Sequence, residues 1–264
     1  ILILKLIYKF ASQRRIKFNY MSKSVIIIPS RLAATRLPNK PLIFINNKAL
    51  IMHVYEKAIK SQIGEVYVAT CDEEIASEVS NNGGNFIMTD TRHSTGTDRV
   101  YEASQKLKLN DSDIIINVQG DEPMINPEDL KNLNKVSKEN NLNISTLAHD
   151  IKNKEDFKNE NIVKVVTKNK ITNHSTEEAL NFIRKIGYRD CENIYQHLGV
   201  YLYKFSALKD FVELKKSQNE IDQKLEQLRA IDNNLQIRVL LANYFSSGID
   251  TKKDLDEYLK LMNK

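Results

Sequence analysis

An α/β fold with a mostly parallel central sheet and helices on both faces follows from three features of the sequence. Short β-branched runs recur between stretches whose apolar residues have helical spacing. The runs are apolar at consecutive positions, the pattern of strands buried on both faces. The stretches between them are long enough for right-handed crossover helices. At 264 residues, 41% of them hydrophobic and 28% charged, the chain can bury one core of ordinary size.

The first run, 25–28, reads as a strand that Pro29 ends. Residues 49–61 carry Leu50, Val54 and Ala58 at helical spacing. Strands are then expected at 66–70, 85–88, 114–118 and 144–148. The helices between them are expected at 72–81, 98–109 and 127–139, with Gly83 and Gly84 closing the first and Pro127 opening the last. Beyond residue 150 the regularity loosens. There 162–167, 197–203 and 237–242 read as strands, and 206–214, 220–230 and 252–262 as helices. Residues 1–20 read as an extension outside the fold. Their apolar run is too short to span a bilayer, and basic residues follow it, the reverse of a secretory signal. Residues 21–264 then form one domain, with halves at about 22–150 and 151–250.

The net charge of +5 is spread along the chain, which suits a small anionic substrate better than a nucleic acid. No nucleic-acid-binding signature is present, and no membrane partner is expected. Two cysteines, Cys71 and Cys191, without a CxxC pair fit a reducing compartment and argue against structural zinc.

Ligands of open parallel sheets bind at the carboxyl ends of the strands, so the informative loops are 29–40, 71–72 and 119–123. The first places Arg31, Arg36 and Lys40 within ten residues. It reads either as a polyphosphate site or as a solvated basic loop. It is neither a Walker loop nor a dinucleotide fingerprint. The second, Gln119-Gly120-Asp121-Glu122-Pro123, offers a carboxylate that can hold Mg²⁺, or simply a turn. In the third, Ser246 to Thr251, Asp250 reads first as the N-cap of the last helix and alternatively as a second metal ligand. His197 and Tyr201, four apart on a strand, share one face. His93 and His149 read as surface or loop residues, and Cys71 as a small hydrophobe.

Taken together these segments resemble the 3-deoxy-manno-octulosonate (Kdo) cytidylyltransferase family, from about residue 24 to 263. The likeness runs through Pro29-Ser30-Arg31, the stretch from Arg36 to Leu42, Thr95-Gly96-Thr97-Asp98-Arg99, residues 117–123, His197 to Tyr201, Glu226-Gln227-Leu228-Arg229 and Gly248 to Thr251. The resemblance implies a Rossmann-like nucleotidyltransferase core with a smaller sugar-binding and dimerisation lobe. It implies a cytoplasmic homodimer that joins CMP from CTP to an acidic, Kdo-like sugar for lipopolysaccharide biosynthesis, with Mg²⁺ as cofactor on Asp121 and Asp250. Arg31, Lys40, Asp121 and Asp250 would be catalytic, with Arg31 and Lys40 on the CTP phosphates and Ser30 and Arg36 nearby. Gln119, His197, Tyr201 and Gln227 would face the sugar. The turn of Thr95, Gly96 and Thr97 would lie beside the pocket, and backbone around 28–30 and 69–72 would select cytosine.

Two departures from the family pattern stand out. Its Ser-Arg-Ala-x-Ile-Pro stretch, expected after the strand near residue 165, has no arginine over 173–179, although Arg184 and Lys185 follow. Its Ala-Thr-Asp reads Ala69-Thr70-Cys71-Asp72. Two rival readings therefore stand beside the first: the same chemistry on another 2-keto-3-deoxy sugar acid, or a homologue that binds CTP or sugar without catalysis. The presence of Arg31, Lys40, Asp121 and Asp250 together argues against the second.

Overall fold

The structure is a computed structural model that describes residues 22–33, 37–172, 175–186 and 192–262. The expected extension at 1–20, Arg36 and Cys191 lie outside the described residues.

Strand β1 (Ser24–Pro29) leads through a small hairpin, β2 (Phe44–Ile45) and β3 (Lys48–Ala49), into helix α1 (Leu50–Lys60). There follow β4 (Glu65–Thr70), α2 (Glu73–Asn81), β5 (Asn85–Met88), α3 (Gly96–Lys106), β6 (Ile114–Asn117), α4 (Pro127–Glu139) and β7 (Ile144–His149). The second half holds β8 (Lys164–Thr167), β9 (Glu177–Ile183), β10 (Ile194–Lys204), α5 (Phe205–Glu213), α6 (Gln218–Gln223), α7 (Leu228–Asp232), β11 (Arg238–Leu241) and α8 (Lys252–Met262).

Nine strands form one sheet in the order β5-β4-β1-β6-β10-β7-β11-β9-β8. All six residues of β1 are buried, as its unbroken apolar run requires. Ile26 and Ile28 pack with Ile51 of α1, Val79 of α2 and Leu133 of α4. Val25 and Ile27 pack on the other face with Val100 of α3 and Leu208 of α5. Helices therefore cover both faces, and each fully buried isoleucine contributes about 1.5–3 kcal/mol.

The expectation of a mostly parallel sheet holds across β5-β4-β1-β6 and for β7 with β11. It is corrected elsewhere. β10 runs antiparallel to both β6 and β7, and β9 is antiparallel to β8 and β11. β8 also returns to pair with the start of β10, which closes a circuit of strands at this end of the sheet. Of these, β8 and β9 are consecutive along the chain and pair directly as antiparallel neighbours.

Two elements differ from expectation for local reasons. β9 went unread because only Ala179 and Phe182 among its residues are buried, and a bulge opposite Val166 and Thr167 breaks the two-residue period. The single helix expected at 220–230 is two. Ser217 caps the first by accepting from the Glu220 N–H, and Lys224 adopts a left-handed conformation (φ 53°) that ends it. Buried Leu225 then turns back onto the Glu220 carbonyl before α7 begins. Among the described residues, no helix is long and apolar enough to cross a membrane.

Candidate active site

The loops after β1, β5 and β6 meet at one edge of the sheet, where they line a cleft of about 350 Å³, within the range of small-ligand pockets. After β1, the Ser30 N–H donates to the Ala69 carbonyl (2.9 Å) and the Leu32 N–H to Asp72 Oδ2 (2.8 Å). These bonds fix the loop that carries exposed Arg31. The Ser30 hydroxyl is buried on the cleft wall with no hydrogen-bond partner. Lys40 opens a short 3₁₀ turn whose Pro41 is buried, so its side chain leaves from a fixed point.

After β6, Gly120 passes so close to β1 that a Cβ there would sit 3.0 Å from the Pro29 carbonyl oxygen. Asp121 follows and faces the cleft. Asp250 arrives from the far end of the chain. Ile249 packs with Ile45, Leu50, Leu255 and Tyr258, so α8 is clamped over the β2–β3 hairpin. The Ile249 N–H also donates to the Asp121 carbonyl (2.8 Å). The N-cap reading of Asp250 is corrected. Thr251 accepts from the Asp254 N–H, and Asp254 accepts from the Asp250 and Thr251 N–H groups. Thr251 and Asp254 form the capping box, which leaves the Asp250 carboxylate to the cleft.

There the Lys40 amine donates to Asp121 Oδ2 (2.6 Å) and to Asp250 Oδ1 (3.0 Å). Burial alone would lower the lysine pKa, but the two carboxylates outweigh it and hold the amine above its usual range. Two carboxylates 129 positions apart in sequence thus converge on one cationic point. Hard oxygen donors of this kind suit Mg²⁺, which takes one or two carboxylates and completes its shell with phosphate and water oxygens. Among the described residues no group of three or more histidine, cysteine, aspartate or glutamate side chains could hold a metal.

Glu122 was not singled out by the sequence. It is fully buried behind Asp121, and desolvation followed by the Asp121 charge pushes its carboxyl up to about 7. The Gly199 N–H and the Ser246 hydroxyl donate to it. A Cβ on Gly199 would come 2.8 Å from Glu122 Oε1, so glycine is required at the β10 bulge.

Thr95 caps α3 by accepting from the Asp98 N–H (3.1 Å), so the expected turn is in fact a helix start, with Thr95 and Gly96 on the cleft wall. Gln119 lines the cleft and donates to Asn117 and, at 3.5 Å, to the Gly199 carbonyl. His197, Tyr201, Thr97 and Gln227 do not line this cleft. His197 touches the Thr146 hydroxyl (3.0 Å) and packs against Phe182 and Tyr201. Desolvation drives its pKa down to about 3, so its imidazole is neutral. The buried Tyr201 hydroxyl has no partner. Thr97 donates to Glu226 Oε2 (2.6 Å), while Glu226 Oε1 is buried without a hydrogen bond. Glu226 precedes Gln227 in the 226–229 stretch, and the sequence alone assigns it no role.

Arg184 and Lys185 do not reach the cleft. Arg184 directly follows β9 and donates to the carbonyls of Gln223, Glu160 and Lys224. Lys185 pairs with Glu160 at 3.6 Å on the surface.

Comparison with known proteins agrees with this arrangement. The family described as cytidylyltransferase matches residues 25–238. A 3-deoxy-manno-octulosonate cytidylyltransferase of Thermodesulfovibrio yellowstonii is 43% identical over 91% of this chain and 98% of its own length. One from Parabacteroides distasonis is 37% identical, with 92% and 99% covered. A solved CMP:2-keto-3-deoxy-manno-octonic acid synthetase complexed with CTP superposes with a TM-score of 0.83 at 36% identity, covering 92% of this chain and 99% of that one. A UTP-bound UGPase from Acinetobacter baumannii shares the fold alone, with a TM-score of 0.66 at 10% identity over 92% of this chain and 93% of its own. With its sheet-edge cleft, its paired carboxylates and this degree of identity along nearly its whole length, the chain belongs to the 3-deoxy-manno-octulosonate cytidylyltransferase family.

Proposed function

We propose that the chain transfers CMP from CTP to the anomeric hydroxyl of Kdo and releases pyrophosphate, the activation that precedes incorporation of Kdo into lipopolysaccharide. The observation that carries this reading is the convergence of Asp121 and Asp250 on Lys40 at the carboxyl edge of β1 and β6. The half at 22–150 binds the nucleotide and the half at 151–250 the sugar and a second copy of the chain, in a cytoplasmic homodimer.

The physical difficulty of the reaction is charge, because a carboxylate sugar must approach a polyanion. The anomeric oxygen bonds to the α-phosphorus as the bond to pyrophosphate breaks. Arg31 and Lys40, with Arg36, stabilise the charge that builds on pyrophosphate. Asp121 and Asp250 would hold Mg²⁺, which when bound supplies Lewis-acid neutralisation of the α-phosphate. With these carboxylates holding the ion, the Lys40 amine that they now bind would be available to donate to the phosphates. Gln119 on the cleft wall, with neutral His197, Tyr201 and Gln227, offers uncharged hydrogen-bonding groups to the sugar hydroxyls. Thr95 and Gly96 border the nucleotide, and Thr97 lies behind them on Glu226.

A pyrophosphate-release assay with CTP and Mg²⁺ against a panel of sugar acids tests the reading. Release with Kdo, abolished by EDTA, is expected. Release only with another 2-keto-3-deoxy acid would move the specificity, and tight binding without release would make the chain a silent homologue.

A further inference from the structure

Lys164 opens β8 and is fully buried, yet among the described residues it has no acidic partner. Its amine donates instead to the carbonyls of Asn159 (2.6 Å) and Arg184 (2.7 Å). An ammonium taken from water onto backbone carbonyls, with Asp156 and Glu160 acting on it only beyond ion-pair distance, is costly, and an apolar side chain of the same volume generally serves stability better. Stability therefore does not explain the lysine.

What it holds does. Asn159 belongs to the segment before β8, and Arg184 directly follows the end of β9 opposite Lys164, since Lys164 and Ile183 are register partners. The Arg184 guanidinium then donates to Glu160 (3.1 Å), Gln223 (2.9 Å) and Lys224 (3.1 Å) carbonyls. Two cations in series thus gather carbonyls from three separate stretches. The last of these, 223–224, runs directly into Glu226 and Gln227. On the other side, Val163 beside Lys164 accepts the N–H of His197 (2.9 Å), and Phe182 of β9 packs its ring on the His197 imidazole. Lys164 thus ties the strand beside His197 to the stretch that leads to Gln227, and it does not line the cleft.

We propose that Lys164 is a positioning residue for sugar binding. By fixing the Arg184 backbone it sets the 223–227 strip and the His197 strand at the separation the sugar requires. The inference rests on the reading of His197 and Gln227 as sugar-facing.

The test uses the full chain with Mg²⁺, steady-state pyrophosphate release with Kdo and CTP varied separately, and circular dichroism to verify folding. Lys164→Met fills the same volume without the two hydrogen bonds. It is expected to raise the Kdo KM about tenfold or more, to leave the CTP KM within about twofold, and to change kcat less than the Kdo KM. Lys164→Gln, which keeps a donor, should fall between Met and wild type. A folded Met variant with an unchanged Kdo KM overturns the proposal, as does an equal rise in both KM values. Failure of both variants to fold also overturns it, because the role would then be structural. Gln227→Ala separates the two layers. An unchanged Kdo KM there sinks the sugar-facing reading and the proposal with it. A raised one beside an unchanged Lys164→Met sinks the positioning role alone.

Discussion

The two halves of the sheet assemble their shares of the site in different ways. In the parallel half, Arg31, Thr95 and Asp121 each sit on a loop that directly follows a buried strand or opens the next helix. Their placement is decided within a few residues of sequence. In the antiparallel half, His197, Glu226 and Gln227 are set by ties across long sequence separations, through Thr97, Thr146, Lys164 and Arg184. Local delivery makes a side chain tolerant of distant change. Delivery by remote ties makes it sensitive to residues that never meet substrate.

Asp250 is the exception that sharpens this contrast, because it serves the parallel half by long-range delivery. The largest expected effect follows from it. Asp121→Asn and Asp250→Asn should each lower kcat on the order of 100- to 1,000-fold with the fold intact, and the double variant should lose little more than the worse single one. Pyrophosphate release measures this. Fully additive losses would mean that the two acids do not act at one point.

Next in size is Gly199→Ala. Its Cβ meets the buried Glu122 carboxylate, so a loss of about 1–3 kcal/mol in urea unfolding is expected. Glu122→Ala in the same chain should restore part of that loss. No restoration would separate the β10 bulge from Glu122.

Thr251→Ala removes the cap of α8 and should cost about 1 kcal/mol. Because α8 carries Asp250, kcat should fall with it by a small factor. An unchanged kcat would show that the Ile249 packing alone fixes Asp250.

The smallest effect concerns pH. His197 takes up its proton near 6.5 when unfolded and only near 3 when folded. Between those values the unfolded chain binds more protons, so this contribution to stability is present above pH 6.5 and is lost as pH falls. The urea midpoint of the wild type should drop more between pH 7 and 4.5 than that of His197→Gln. Equal drops would mean that the imidazole is not desolvated.

The sequence by itself determined the strands at 25–28 and 114–118, the crossover helices between them, and the identity of the loops that carry Arg31, Lys40 and Asp121. Continuous β-branched runs have no other stable place than a doubly covered sheet, and the loops must then emerge at its carboxyl edge. Only the tertiary structure decided that Asp250 leaves its cap to Thr251 and joins Asp121, that β9 pairs with β8 despite two buried residues, and that Arg184 is bound to carbonyls instead of facing the cleft. Local pattern encodes which side chains avoid water, whereas partners over a hundred residues apart are chosen by packing, which leaves no periodic trace in the chain.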